Sequence, residues 1–298
     1  MSFLSPGYLL FFPVTVLLYF LLPRPCKNLW LLAASWFFYL CAGPDCFAFL
    51  LCATLVTYTG ARLLERRDGA GRKALLTLLL TLLFGTLFLF KYLDFAFSLA
   101  ERVLDAAGLS FSSPALDLIL PAGISFYLFM AAGYLIDVYR GDRAAEHSFL
   151  LCALFLSFFP HVISGPIARA GGLIPQFREV HRFDYDKFRA GLLRFLWGAF
   201  KKLCIADRLA VLVNAVFAAP GDFGWLQVIA AACAFSVQIY CDFSAYSDMA
   251  LGPAEAMGFH LMENFRTPYF SRSIAEFWRR WHISLSAWFR DYLYIPLG

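Results

Sequence analysis

The sequence predicts an all-α, polytopic transmembrane protein with interfacial and re-entrant helices around a central channel. Of its 298 residues, 61% are hydrophobic and only 15% are charged. A soluble domain has roughly 45–50% apolar and about 25% charged residues, so this chain lacks the polar side chains that would cover its core in water. The composition excludes a soluble enzyme, a disordered protein and a disulfide-stapled secreted domain. We treat residues 1–298 as one membrane domain.

Uncharged apolar runs supply the candidate membrane helices. They cover Tyr8–Leu22, Leu29–Ala42, Cys46–Ala61, Leu75–Phe90, Leu118–Ile136, Ser148–Ser164, Leu209–Ala218 and Phe223–Cys241. A helix needs about 20 residues to cross the hydrocarbon core, so the shorter runs require flanking residues or burial in protein. We expect helices because no run alternates with the period of two that a barrel strand needs.

The charged loops predict the orientation of these runs. Residues 65–73 are dense in arginine and lysine, whereas the predicted loop after the fourth run holds Asp94, Glu101 and Asp105. The positive-inside rule therefore places residues 65–73 in the cytoplasm and the N-terminus outside. The first charge is Arg24, so the first run is expected to be a span rather than a cleaved signal peptide.

Beyond residue 165 the pattern changes from clean apolar runs to mixed polar and aromatic sequence. Gly165-Pro166 interrupts the sixth run, and Lys201-Lys202 lies in an apolar context. A charge there is costly unless it lies at the interface or lines a cavity enclosed by protein. This region is therefore the predicted source of the interfacial and re-entrant helices.

Two carboxylates and two tyrosines end the last apolar run. Asp242 and Tyr246 lie in the segment 238–249, with Asp248 close behind. The two aspartates are six positions apart, which rules out a paired acid–base dyad on one face of a helix. Asp242 either caps a helix or pairs with a nearby arginine for structure, or it lines a substrate channel.

A helix is predicted to start after Ser273, because Glu276 follows it three residues later as in a capping box. Residues at helical spacing then share one face, and they are Trp278, Trp281, His282, Leu285 and Trp288 or Phe289, whereas Arg279, Arg280 and Arg290 project elsewhere. Aromatic rings with arginines are typical of a helix that lies at the lipid headgroups. His282 is the exception, since burial would leave a neutral imidazole that can accept a proton.

Residues 276–298 resemble the hallmark segment of the membrane-bound O-acyltransferase family, in its bacterial alginate O-acetyltransferase branch. The segment contains Glu276-Phe277-Trp278-Arg279-Arg280-Trp281-His282, followed by Arg290-Asp291-Tyr292-Leu293-Tyr294. Further blocks that resemble the family occur in family order at 120–126, 134–141, 159–176, 200–207 and 242–248. The resemblance thus covers most of the chain.

The resemblance implies transfer of an acyl group, here acetyl, to a hydroxyl of an extracytoplasmic polysaccharide such as alginate, or to a relay acyltransferase protein. The donor would be an acetyl thioester or an acyl carrier on the cytoplasmic side, used as substrate, with no bound cofactor and no metal. The implied location is the bacterial inner membrane, crossed several times, with the lipid bilayer and no nucleic acid as partner. His282 would be catalytic, and the channel or substrate-binding residues would be Trp278, Trp281, Arg279, Arg280, Asp242, Tyr246 and Asn264.

Two questions stay open at this point. Family members generally continue through further spans to a second histidine regarded as the catalytic base, so we expect this chain to be truncated and to hold one half of a histidine pair. The same residues are also compatible with D-alanyl transfer to teichoic acid, or with a non-enzymatic transporter or export scaffold. A transporter would be expected to show an internal repeat, and none is evident.

Overall fold

The computed structural model describes residues 1–106, 108 and 120–298, apart from the side chain of residue 94. Over these residues the protein is helical and forms no strand. The helices are α1 Pro6–Leu21, α2 Arg24–Leu40, α3 Pro44–Glu65, α4 Gly69–Ala106, α5 Ile124–Arg140, α6 Phe149–Ser157, α7 Ala170–Arg178, α8 Tyr185–Phe200, α9 Asp207–Ala218, α10 Trp225–Ala256, α11 Ile274–Arg280 and α12 Ile283–Phe289. The predicted all-α membrane protein is confirmed.

Three of the described helices are long and apolar enough to cross a membrane. They are α3, the Gly69–Leu93 part of α4, and α10. Apolar side chains also cover the outer faces of shorter helices, where Leu10 of α1 is 72% exposed and Val211 of α9 is 71% exposed. Such faces are stable only against an apolar solvent, which lipid supplies.

The predicted acidic loop after the fourth run is wrong. Helix α4 continues to Ala106, so Glu101 and Asp105 lie on a helix. No glycine or proline occurs between residues 86 and 106, and nothing in the sequence therefore ends the helix there. The start of the fifth predicted run, at Leu118, lies outside the described residues, and α5 begins at Ile124 behind a left-handed Gly123.

The predicted sixth span is also wrong. Its apolar residues form α6, which is only nine residues long and is buried along Leu151–Ser157. A helix that is apolar on all sides must be surrounded by protein or lipid, and α6 is surrounded by α2, α3, α5 and α7. The chain then turns through a buried segment at 158–168 that includes Pro160 and Pro166. This short helix and turn form the centre of the core.

Helices α8 and α10 pack closely against each other. A Cβ atom added to Gly191 would lie 2.4 Å from the carbonyl oxygen of Gly252, and one added to Gly198 would lie 2.8 Å from that of Ala245. Small residues at these positions let two backbones approach closely, as in many membrane helix pairs. The last apolar run ends at Cys241, and α10 continues beyond it to Ala256 with Pro253 inside the helix.

Charged side chains between α8 and α10 are paired within the protein. Lys201 begins a π-helical turn at Lys201–Ala206 and is buried. Its ammonium lies 2.7 Å from a carboxylate oxygen of Asp248 and donates to the Ser244 hydroxyl. Arg194 joins the same carboxylate at 3.0 Å and Glu263 at 2.7 Å. A buried charge is tolerated because it is compensated in this way.

The single helix predicted after Ser273 is two helices. The Ser273 hydroxyl does accept from the Glu276 amide, which confirms the N-cap, but the Glu276 carboxylate accepts from the Arg272 amide rather than from Ser273. Helix α11 ends at Arg280 and α12 starts at Ile283. The shared face that the helical spacing predicted across residues 278–289 is therefore broken at His282.

Candidate active site around His282

His282 sits at a sharp left-handed turn between α11 and α12. Its backbone has φ 44° and ψ 54°, and Thr267 is the other non-glycine residue with positive φ among the described residues. That conformation costs an L-amino acid roughly 1–2 kcal/mol. Such strain persists only where the surroundings impose it, and it concentrates at functional sites.

Asn264 lies against this turn. It is completely buried in the extended segment that follows α10. Its carbonyl oxygen accepts from the Ile283 amide at 3.0 Å, and its Oδ1 accepts from the Ser284 amide at 3.1 Å. The predicted site residue Asn264 is thus brought next to His282 through the backbone.

His282 lines a pocket of about 430 Å³ between α4, α5 and α12. The other lining residues are Leu87, Lys91, Tyr92, Ser125, Phe126, Phe129, Ile167, Leu285 and Phe289. Aromatic and aliphatic side chains thus form most of the wall, with a lysine, a tyrosine and a serine as additional polar groups. An apolar pocket with few polar groups is the usual form of a small-molecule site.

The imidazole of His282 is packed among aromatic rings. The ring of Phe243 meets it edge-on with centroids 4.7 Å apart, and the ring of Phe126 lies 6.5 Å away. Its Nε2 atom is buried and has no hydrogen-bond partner among the described residues. Burial lowers the pKa of His282 from 6.5 to about 4, and His282 lies outside the three helices long enough to span a bilayer. The imidazole is therefore neutral at pH 7 and able to accept a proton.

Trp281 and Trp278 point to different places. Trp281 packs in a cluster of rings on the other side of the turn, formed with Tyr240, Phe243, Phe265, Tyr269 and Phe277. Trp278 is 54% exposed and its ring packs against Phe277. Neither indole lines the pocket of His282.

The two predicted arginines also differ in their surroundings. Arg280 pairs with Glu276 one turn earlier on α11, at 2.5 Å. Arg279 is exposed and has no ion-pair partner within 4.0 Å among the described residues. Arg279 is thus a cation at the surface, whereas Arg280 is already neutralised.

Asp242 and Tyr246 lie on α10 beside Lys202. The Lys202 ammonium is 2.7 Å from Asp242 and 2.8 Å from Asp207, and it lies 5.6 Å from the centroid of the Tyr246 ring. The sequence predicted that Asp242 caps a helix, pairs with an arginine or lines a channel, and its ion-pair partner in the structure is a lysine. This cluster is a second polar centre, and none of its members lines the pocket of His282.

Sequence reasoning missed several pocket residues. Lys91 is a lone cation at the end of the apolar run 75–90, and an ionisable residue in such a position is a functional candidate by default. Ser125 lies at the start of α5, just after Gly123. A Cβ added to Gly123 would lie 2.1 Å from the Val162 carbonyl oxygen, so the start of α5 packs directly on the segment 158–168. Only the packing of two segments that are distant in sequence brings Ser125 and Ile167 to one pocket.

Trp288 was placed on the predicted helical face but not in the site. It is buried, and its indole N–H donates to the Phe129 carbonyl at 2.9 Å. The rings of Trp288 and Phe129 meet edge to face with centroids 4.7 Å apart. Trp288 therefore fixes α12 against α5 beside the pocket wall.

Comparison with known proteins decides the family. The profile of the membrane-bound O-acyltransferase family matches residues 140–298, which include His282 and Asn264. The chain belongs to this family. The chain is also similar to curated proteins with three different named activities.

A probable alginate O-acetylase of Pseudomonas putida is 43% identical over 97% of this chain and 59% of its own length. The peptidoglycan O-acetyltransferase of Helicobacter pylori is 34% identical over 97% of this chain and 60% of its own length. The teichoic acid D-alanyltransferase of Streptococcus thermophilus is 30% identical over 59% of this chain and 43% of its own length. The chain thus spans little more than half the length of the curated relatives that it matches over most of its own length.

Proposed function

We propose that this membrane-bound O-acyltransferase transfers an acetyl group to a hydroxyl of an extracytoplasmic polysaccharide, such as alginate. The names of the two relatives that match over 97% of the chain support O-acetyl transfer. The observation that carries the proposal is His282, a buried imidazole whose Nε2 has no partner among the described residues and which lines an apolar pocket. An imidazole must be neutral to accept a proton from a hydroxyl, and His282 is neutral at pH 7.

In the proposed reaction the acceptor oxygen attacks the carbonyl carbon of an acetyl thioester. A hydroxyl is a poor nucleophile, so the Nε2 atom of His282 accepts a hydrogen bond from it and takes its proton as the C–O bond forms. The C–S bond then breaks, and the proton passes to the departing thiolate. His282 would act directly on the acceptor, or as one member of a pair with a second histidine.

The remaining predicted site residues take supporting roles in this proposal. Arg279, as an exposed cation, would attract the anionic part of the donor. Arg280 would do the same after giving up its ion pair with Glu276 for one with the donor. Trp278 and Trp281 would wall the approach to the turn. Asp242 and Tyr246 would line the route at the second polar centre beside Lys202, while Asn264 would hold the turn.

We further propose that the protein crosses the bacterial inner membrane several times. The donor, an acetyl thioester or an acyl carrier, would arrive from the cytoplasmic side, where residues 65–73 are dense in arginine and lysine. The acceptor would be the polysaccharide itself or a relay acyltransferase protein outside. A passage lined by protein would let donor and acceptor meet without either crossing lipid.

The experiment is deletion of the gene from its native host, followed by NMR and mass spectrometry of the extracellular polymers. We expect O-acetyl signals to disappear from one polysaccharide and to return when the gene is restored. Loss of D-alanyl esters from teichoic acid would instead support the second chemistry, which a relative of 30% identity favours. A polymer that keeps every acyl group but no longer reaches the cell exterior would contradict both and indicate export.

A further inference from the structure

The segment Asn264–Arg266 forms hydrogen bonds with the backbone on both sides of the turn at His282. Before the turn, the Arg266 amide donates to the Arg280 carbonyl at 3.0 Å. After the turn, the Ile283 and Ser284 amides donate to the carbonyl oxygen and the side chain of Asn264. The strained residue therefore lies between two anchored points.

Asn264 replaces the cap that His282 cannot supply to α12. The first amides of a helix have no partner inside the helix and usually bond to the side chain of the preceding residue. His282 occupies that preceding position, and its side chain makes no capping hydrogen bond. The two amides are satisfied instead by Asn264, which frees the imidazole to line the pocket.

Ser284 extends the same network to the pocket wall. Its hydroxyl accepts from the Ile167 amide at 3.0 Å, and Ile167 lines the pocket with His282. Asn264, Ser284 and Ile167 belong to three separate segments, and the first two are completely or almost completely buried. The network thus joins the strained turn to a second residue of the cavity wall.

We propose that Asn264 is a positioning residue for acyl transfer: it imposes the left-handed turn that presents the imidazole of His282 to the pocket. The inference rests on the proposed function, in which His282 accepts the proton. Asn264 acts through the backbone of Ile283 and Ser284 and touches neither donor nor acceptor. Displacing a catalytic group by about 1 Å can slow a reaction about a hundredfold, so a cap that sets this turn would control the rate.

The test compares Asn264→Leu, which keeps the branching of the side chain but removes the acceptor, with Asn264→Asp, which keeps an oxygen at the same place. Both are made in the gene product in its native membrane, and the rate of acyl transfer is measured against donor concentration. We expect Asn264→Leu to lower kcat about tenfold or more with KM within about twofold, and Asn264→Asp to restore most of kcat. Asn264→Ala, which adds no bulk, replaces the leucine variant if that variant does not accumulate.

A second readout does not depend on activity. Diethyl pyrocarbonate modifies accessible imidazoles, and mass spectrometry gives its rate at His282 and at the exposed His147. Asn264→Leu or Asn264→Ala should change the rate at His282 severalfold and leave that at His147 unchanged, whereas Asn264→Asp should resemble the wild type. Unchanged kcat and unchanged modification of His282 in the variants without an acceptor would overturn the proposal. Altered modification combined with full activity of a His282→Gln variant would instead contradict the proposed function and leave the positioning of the turn intact.

Discussion

The ring of Phe243 meets the imidazole of His282 edge-on, with 4.7 Å between the ring centroids. Phe243 belongs to α10, whereas His282 lies between α11 and α12. This contact connects the longest apolar helix of the C-terminal half to the strained turn, and it helps to keep water from the imidazole. The position of His282 therefore depends on packing against a helix that is distant in the sequence.

Removing that contact should destabilise the protein. We expect Phe243→Ala to lower the free energy of unfolding by about 2 kcal/mol, less than for a fully buried phenylalanine, and Phe243→Leu to lower it by about half as much. Thermal unfolding of the purified protein in detergent measures the effect. Phe270→Ala is the matched control because Phe270 is 80% exposed. Equal stability of all three variants would contradict the packing described here.

The pH dependence of stability should reveal the buried imidazole. Burial lowers the pKa of His282 from 6.5 in the unfolded chain to about 4 in the folded protein. As the pH falls from 6.5 toward 4, the unfolded chain takes up this proton and the folded protein does not. Stability therefore decreases, by up to about 1 kcal/mol per pH unit from this group.

Comparison with His282→Gln isolates that contribution, since other titrating groups are shared by both proteins. Melting temperatures in detergent between pH 8 and pH 4 should show a steeper acid decline for the wild type. The two curves should run parallel above pH 7, where His282 is neutral in both states. Parallel curves over the whole range would show that His282 titrates normally and is solvated.

The charge network between α8 and α10 should be intolerant of change. Asp248 pairs with both Lys201 and Arg194, so Asp248→Asn leaves the buried Lys201 without a carboxylate and Arg194 with Glu263 alone. We expect a loss of about 3 kcal/mol of folding free energy, typical of a broken buried pair. The exposed Asp222→Asn is the control. Melting temperatures measure both variants. An equal decrease for Asp248→Asn and Asp222→Asn, or no decrease for either, would contradict the assignment of Asp248 to a buried ion pair.

The close approach of α8 and α10 predicts that even one methyl group is too large at Gly191. The added Cβ would lie 2.4 Å from a backbone oxygen, so Gly191→Ala forces the helices apart at a cost of about 1–3 kcal/mol. Gly85→Ala is the control, since Gly85 lies within α4 and its added Cβ meets no atom within 4 Å. That control should be neutral or slightly stabilising. Folding yield and melting temperature in detergent measure both variants.

The sequence predicted the fold class and the long helices because both depend on the apolar composition of each segment and on the cost of placing its charges in lipid. It did not predict the turn at His282, because the local pattern after Ser273 satisfies a continuous helix. The break depends on hydrogen bonds that the Ile283 and Ser284 amides donate to Asn264, about 20 residues upstream. Likewise α6 has the composition of a span, but its nine residues are surrounded by other helices.

Only part of the candidate site was predicted, because its residues come from segments that are distant in the sequence. His282 was identifiable because a histidine among tryptophans on an apolar face is unusual, and Asn264 was identifiable by resemblance to the family. The walls contributed by Ser125, Ile167 and Lys91 come from distant segments that only the fold brings together. Conversely, Asp242 and Tyr246 were predicted to line the same channel as His282, but they belong to a separate polar centre beside Lys202.

In the proposed mechanism His282 takes part in acyl transfer, and the transfer rate of His282→Gln in the native membrane measures this role. Incorporation of labelled acetyl into the extracellular polysaccharide is compared with that of His147→Gln, which removes an exposed histidine outside the pocket. We predict a loss of about a hundredfold or more for His282→Gln at equal protein level, and wild-type transfer for His147→Gln. Undiminished transfer by His282→Gln would remove His282 from the mechanism and contradict this account.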